Sequence, residues 1–173
     1  LLLSMKQIII RGKRNIDGMK GNKTNKRKVV EKNTNQNLFK QMSQIKWLNK
    51  LLLQENYDGI TFAKKDLERK IKSYKNQDVV KKIYDVEKFI TYDECLEKLV
   101  VSKLRCNYCR QECLFMYENV RENKQWTLDR IDNNMGHNKD NVVICCLKCN
   151  LKRGTIDDKK FKFTKQMCII KTF

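Results

Sequence analysis

Two Cys-x-x-Cys pairs, Cys106/Cys109 and Cys146/Cys149, constrain this chain more than any other feature of its sequence. Four thiolates in that pattern suit a tetrahedral zinc ion, and pairs this distant along the chain must then meet at one point of the fold. Such an ion is structural, because protein fills all four positions and leaves none for water. Its energetic weight is large. A core of about 80 residues rarely supplies more than roughly 3–5 kcal/mol alone, whereas structural zinc contributes roughly 10–16 kcal/mol in small peptides. The other cysteines, Cys95, Cys113, Cys145 and Cys168, read as small buried hydrophobes. Eight cysteines are also enough for four disulfides in a secreted domain. The close pairs, and the lack of an evident secretory signal, favour thiolate–zinc ligation in a reducing, intracellular compartment.

The 173 residues carry a formal net charge of +18. An excess of that size favours polyanionic partners: DNA, RNA or an anionic membrane surface. A lysine-rich composition with no dedicated partner is the plainer alternative. Leu1 to Ile10 is apolar but too short to span a bilayer, so no transmembrane segment is expected. The basic opening stretch, with Asp17 as the only acid before Glu31, resembles a mitochondrial presequence as much as a nucleic-acid-binding tail. Nucleus, mitochondrion and virus-infected cytoplasm are not distinguishable on these grounds.

Three regions are expected. Residues 1–36 form a basic, flexible extension, since 11–36 are rich in Lys, Asn and Gly and lack a hydrophobic period. Residues 37–90 form a helical, lysine-rich region. Leu38, Met42, Ile45, Leu48 and Leu52 recur at helical spacing, with Trp47 and Leu51 widening the stripe; Asp58-Gly59 marks a turn; Ala63–Lys75 and Val79–Ile90 continue as helical runs. This region is either a packing subdomain or a DNA-specificity module. Residues 91–173 form the zinc-bound domain. Thr91-Tyr92-Asp93-Glu94 is a capping box that opens a helix ending near Leu104. Cys113–Tyr117 and Gln125–Ile131 have strand composition and are expected to pair as a hairpin. A loop follows in which Gly136 supplies a positive φ. Val142–Ile144 is short and apolar, and a helix from Cys145 stops at Gly154. The expected class is α+β.

Between the cysteine pairs, oxygen and nitrogen side chains recur in a fixed order. They are Leu128-Asp129-Arg130-Ile131-Asp132-Asn133, Gly136-His137, Asp140-Asn141-Val142-Val143 and Cys146-x-x-Cys149-Asn150. This order, from Cys106 to about Gly154, resembles the HNH nuclease family, in particular zinc-stapled members with a "DRID" core. The resemblance implies the ββα-metal fold: a two-stranded hairpin, a metal-bearing loop and one helix. It implies a magnesium or manganese ion held by Asp129 and Asn150, which neutralises the scissile phosphate and stabilises the leaving oxygen. It makes Asn141 the brace of the loop and leaves Asp132 as a metal assistant or, preferably, a loop cap.

One position departs from the family. Most members carry a water-activating His after the metal Asp, an imidazole whose pKa lies near neutrality. Here that residue is Arg130, which is always protonated and suits phosphate contact instead. His137, the only histidine in the chain, is the substitute candidate for the base; the bland reading is a turn residue. The candidate catalytic set is therefore Asp129, Arg130, His137, Asn141 and Asn150. Lys148, Lys152 and Arg153 on the following helix are candidate phosphate contacts beside Arg130, or else solvated surface charge. The expected function is a metal-dependent endonuclease acting on DNA rather than RNA. The rival is a catalytically inactive zinc module of the same ancestry, serving as a structural or nucleic-acid-binding subunit of a larger mitochondrial or ribonucleoprotein complex.

Overall fold

Apolar spacing and chain-terminating contacts together divide the chain into five helices and one sheet among the described residues. The computed structural model describes Arg27, Phe39 and residues 44–167. The flexible extension expected for 1–36 therefore lies almost wholly outside the described residues, as do Leu38, Met42 and Cys168. Arg27 is described and is packed: its backbone N–H donates to the Glu118 carbonyl, and its guanidinium bonds Asp66 at 2.5 Å.

Helix α1 (Gln44–Leu52) buries Leu48 and Leu51, and leaves Ile45 and Leu52 exposed. The buried face is the Leu48 and Leu51 side of the expected stripe, with Trp47 half-buried beside it. Gln44 explains the docking angle. Its buried amide donates to the Met116 carbonyl and accepts from the Met116 N–H, both at 2.8 Å, as a strand neighbour would. That satisfies a backbone pair in the 113–117 segment which would otherwise be buried without partners.

Helix α2 (Ile60–Val80) follows Gly59, whose φ of 94° glycine adopts without strain. It is one continuous helix of 21 residues, and Val79–Ile90 is not the second helix expected from spacing. The helix ends in a Schellman motif. Ile83 N–H donates to the Asp78 carbonyl and Lys82 N–H to the Val79 carbonyl, with Lys82 at φ 58°. A lysine holds the left-handed position usually given to Gly, so no sequence signal marked the stop. Helix α3 (Tyr92–Val101) opens as expected: Glu94 N–H donates to Thr91 Oγ1, and Thr91 N–H to the Glu94 carboxylate.

The sheet pairs β1 (Trp126–Arg130) with β2 (Val142–Cys146), antiparallel, Trp126 opposite Cys146 and Arg130 opposite Val142. This corrects the expected hairpin. Cys113–Tyr117 is not a strand of the sheet; Leu114 makes only an isolated bridge to Gln125. The Met116 N–H and carbonyl, which a strand partner would take, go instead to the Gln44 amide. The pairing also moves the last helix. Cys145 and Cys146 still belong to β2, so α4 runs Leu147–Arg153 and ends at Gly154, φ 53°. Helix α5 (Asp158–Gln166) is capped by the Asp157 carboxylate, and its Phe161 packs edge-on to Tyr108 at 5.0 Å.

One buried cluster runs from Leu48 and Leu51 through Leu67 and Tyr74 to Leu99, Phe115, Trp126 and Ile144. The core does not break at residue 90. Lys70 of α2 crosses it, its ammonium 4.2 Å from the Trp126 ring centre and 5.0 Å from that of Tyr117. Burial pushes the Lys70 ammonium down to about 7, with Asp66 opposing the change. No described helix is long and apolar enough to cross a membrane.

Candidate metal centre and adjoining cavity

The cysteine pairs meet as their spacing demands. Cys106 and Cys109 sit on a tight turn in which Arg110 N–H donates to the Cys106 carbonyl and Arg110 takes φ 59°. Cys146 ends β2 and Cys149 lies in the first turn of α4. The four Sγ atoms lie within 4.8 Å of one another, and Cys109 and Cys146 are 3.9 Å apart. A tetrahedron with Zn–S bonds of about 2.3 Å has edges of roughly 3.8 Å, so the donor set fits zinc in both chemistry and size. Hydrogen bonds from the Cys113 and Cys146 side chains, then from the Cys109 and Cys146 backbone, hold the Cys106 thiol well below its usual range. Cys113 is buried beside the ligand set, as expected. Cys145 is buried with its Sγ 3.2 Å from Thr127 Oγ1.

A cavity of about 430 Å³ lies against the end of β1, the loop after it and α4. Asp129 and Arg130 at the end of β1, His137 from the loop, and Asn150 from α4 all line it. Four of the five expected catalytic side chains therefore share one wall. The fifth, Asn141, does not line it. Asn141 is buried and ties the loop: its Oδ1 accepts from Asp132 N–H at 2.9 Å, and its Nδ2 donates to the Asp132 and Gly136 carbonyls. That is the bracing position the resemblance implied. Asp132 caps the loop by accepting from Asn134 N–H at 2.9 Å.

His137 is 4 % exposed and is held by a residue that sequence reasoning missed. Asp78, near the end of α2 and fully buried, accepts from the His137 backbone N–H at 2.6 Å and sits 2.7 Å from its Nδ1. With the carboxylate as acceptor, Nδ1 carries the proton, and Nε2 is left as a lone pair without a protein partner among the described residues. Burial lowers the His137 pKa below its ordinary value and Asp78 partly opposes this, so the ring is neutral near pH 7. Tyr74 stacks on the imidazole at 4.6 Å, and its hydroxyl accepts from Leu128 N–H. Tyr74, Gln77 and Lys81 also line the cavity, so α2 forms one of its walls.

Gly136 makes this docking possible, though not through a positive φ as expected. A Cβ there would meet the Ile83 carbonyl oxygen at 2.6 Å and Asp78 Oδ2 at 2.9 Å. The glycine is required by close approach of the loop to α2. The sequence signal was available in part: an Asp close to a predicted helix end, and a Gly-His dipeptide. Nothing joined them, because they are 59 residues apart.

Arg153 corrects another expectation. It is 1 % exposed and cannot be a surface phosphate contact. Its Nε donates to Asp129 Oδ2 at 2.6 Å and its Nη2 to Oδ1 at 3.2 Å. Its other donors go to the Ile156 and Arg130 carbonyls and to Asn133 Oδ1. Burial works against the guanidinium charge and Asp129 outweighs it. The Tyr108 hydroxyl lies 2.6 Å from Asp129 Oδ2 and 2.8 Å from Asp158 Oδ1, so its one proton is shared between the two carboxylates. Lys148 and Lys152 are exposed, and neither lines the cavity.

A divalent ion on Asp129 is tested by this arrangement. Asn150 suits one: its Nδ2 is committed to Thr127 Oγ1 and the Leu128 carbonyl, which leaves its oxygen without a protein partner among the described residues. Asp129 does not. Its charge is already matched by a bidentate guanidinium. A cation on this carboxylate would share it with the Arg153 guanidinium, whose positive charge already sits on both oxygens and opposes a second one there. Withdrawal of Arg153 would also strip a partner from the Ile156 and Arg130 carbonyl oxygens and from Asn133 Oδ1, all partly buried. The oxygen pair Asp129/Asn150 therefore does not fit magnesium or manganese as the chain is packed. No family model matches the chain, and no curated protein or solved structure matches it significantly.

Proposed function

We propose that this protein hydrolyses phosphodiester bonds in nucleic acid, DNA in preference to RNA, at the cavity beside a structural zinc centre. One observation carries the reading: Asp78 holds His137 by Nδ1, and His137 lines a cavity shared with Arg130 and Asn150. A neutral imidazole oriented by a buried carboxylate is an arrangement suited to a general base. The charge of +18 on the chain supplies the attraction for a polyanion.

The step follows from these groups. His137 Nε2 takes a proton from a water molecule that the Asn150 oxygen orients. The water oxygen forms a bond to phosphorus while the bond from phosphorus to the leaving sugar oxygen breaks. That oxygen is protonated from solvent through the open mouth of the cavity. Arg130 and Lys81, both on the cavity wall, hold the phosphoryl oxygens and offset the charge that develops on them. A magnesium or manganese ion at Asp129, which the resemblance implies, enters no part of this step because the donor set does not accommodate it.

The test is plasmid nicking by zinc-loaded protein, wild type against His137→Ala. General base catalysis contributes about 10²–10⁴-fold, so the variant should lose at least about 10²-fold. Undiminished nicking would remove His137 from the mechanism, and the same assay on RNA decides the preference. A second reading, a non-hydrolysing nucleic-acid-binding subunit of a larger complex, is favoured by one observation: the position after Asp129 is an arginine, and Asp129 itself is engaged. Binding without nicking under all conditions would select it.

A further inference from the structure

Asp129 stands at the position where the family resemblance places a cation-binding carboxylate, but its surroundings are those of a buried ion pair. Every oxygen of the carboxylate is in use: Oδ2 accepts from Arg153 Nε at 2.6 Å and lies 2.6 Å from the Tyr108 hydroxyl, and Oδ1 accepts from Arg153 Nη2 at 3.2 Å. The guanidinium is anchored independently of Asp129. Nη1 donates to the Ile156 carbonyl at 2.7 Å, and Nη2 also reaches the Arg130 carbonyl and Asn133 Oδ1. These contacts join the end of β1, the loop after it and the end of α4. Arg153 thus sits where three segments of the site converge, its charge fixed by covalent attachment and its position fixed by four acceptors.

We propose that Arg153 takes the place of a divalent cation in this site, so that the cavity works with a built-in guanidinium on Asp129 and binds no magnesium or manganese there. Arg153 does not touch substrate; it is a positioning residue that neutralises Asp129 and locks the Arg130 backbone. The role of direct phosphate contact passes to Arg130 and Lys81, which line the cavity. The inference deepens the hydrolytic reading and rests on it only for the identity of the substrate. The absence of a cation site at Asp129 stands apart from whether the cavity cleaves.

The experiment is a titration of the zinc-loaded full chain with Mn²⁺, followed by electron paramagnetic resonance of the free ion. It is run on wild type, Asp129→Asn, Arg153→Met and the double variant. Wild type should bind no Mn²⁺ that Asp129→Asn removes, up to millimolar concentration. Arg153→Met, which frees the carboxylate while keeping side-chain bulk, should gain Mn²⁺ affinity by at least tenfold, and the double variant should lose that gain. A wild-type site of micromolar affinity that Asp129→Asn abolishes would overturn the proposal. If Arg153→Met does not fold, the wild-type and Asp129→Asn titrations decide alone. Nicking is measured in parallel in buffer stripped of divalent ions other than bound zinc; wild type should work within twofold of its rate with added magnesium, and a strict magnesium requirement removed by Asp129→Asn would also overturn it. Failure to nick in any buffer would sink the hydrolytic reading, while the Mn²⁺ titration would still decide the present one.

Discussion

Asp78→Asn probes the contact on which the proposed chemistry depends. The substitution preserves shape and replaces one carboxylate oxygen with an NH₂ group. Asp78 receives two hydrogen bonds, 2.6 Å from the His137 backbone N–H and 2.7 Å from Nδ1. An asparagine oxygen can accept only one of them well. The amide nitrogen would then face a ring N–H, donor to donor. A hydrogen bond to a charged group contributes about 1.5–3 kcal/mol, and an unsatisfied buried donor costs about 1–3 kcal/mol. Relaxation recovers part of this, so the expected loss is about 2–4 kcal/mol by these values. The imidazole can escape by changing tautomer, so that Nδ1 accepts and Nε2 carries the proton. That rescues the packing and disables the base. Urea denaturation of zinc-loaded protein measures the first effect. Two-bond ¹H–¹⁵N spectra measure the second, without ambiguity because the chain has one histidine.

The pH dependence has a definite sign. Burial lowers the folded His137 pKa below the ordinary 6.5, against the pull of Asp78. In the window between the two values the unfolded chain binds more protons, so stability rises with pH there. It is fully present above about 6.5 and falls as pH drops towards the folded value. Removing the Asp78 charge takes away the raising influence and extends that window to lower pH. Nicking by Asp78→Asn should fall by about 10²-fold or more, with a changed pH profile. An Asp78→Asn protein with the wild-type profile and an Nδ1–H tautomer would refute the reasoning.

Three further outcomes are expected. Chelation of the metal at Cys106, Cys109, Cys146 and Cys149, or a Cys149→Ser substitution, should abolish cooperative folding as read by circular dichroism, since structural zinc contributes roughly 10–16 kcal/mol; an unchanged spectrum would remove the metal from the stability argument. Gly136→Ala should cost about 1–3 kcal/mol by overpacking, because its Cβ meets backbone and carboxylate oxygens that cannot both yield; a neutral change in melting temperature would contradict the close approach. Lys70 has a folded pKa of about 7 against an ordinary 10.5, so the folded state binds fewer protons between those values and stability should rise with pH across that range. Lys70→Met should flatten that rise, as followed by urea midpoints from pH 7 to 9.

Local chemistry made part of this protein readable from its sequence. The Thr91–Glu94 capping box and the Gly154 helix stop are decided by residues within one turn of each other, and both were legible. The four cysteines were legible for a different reason: thiolate spacing announces a ligand set whatever the fold around it. The strand partner of Trp126–Arg130 was not legible. Cys113–Tyr117 and Val142–Cys146 have similar composition, and what separates them is a distant side chain, the Gln44 amide, which takes the Met116 backbone groups. The end of α2 was hidden because a lysine, not a glycine, takes the left-handed position.

The expected site residues illustrate the same division. The family resemblance singled out Asp129, Arg130, His137 and Asn150, and they do line one cavity. What each can do was settled by partners remote in sequence. Arg153 looked like one more basic residue on a helix until its guanidinium was found on both oxygens of Asp129. His137 looked like a turn residue until Asp78 was found on its ring. A sequence specifies ligand types, caps and stops because these act over a few bonds. The charge state of a carboxylate and the free nitrogen of an imidazole depend on which distant side chain is buried against them, and only the tertiary structure decides that.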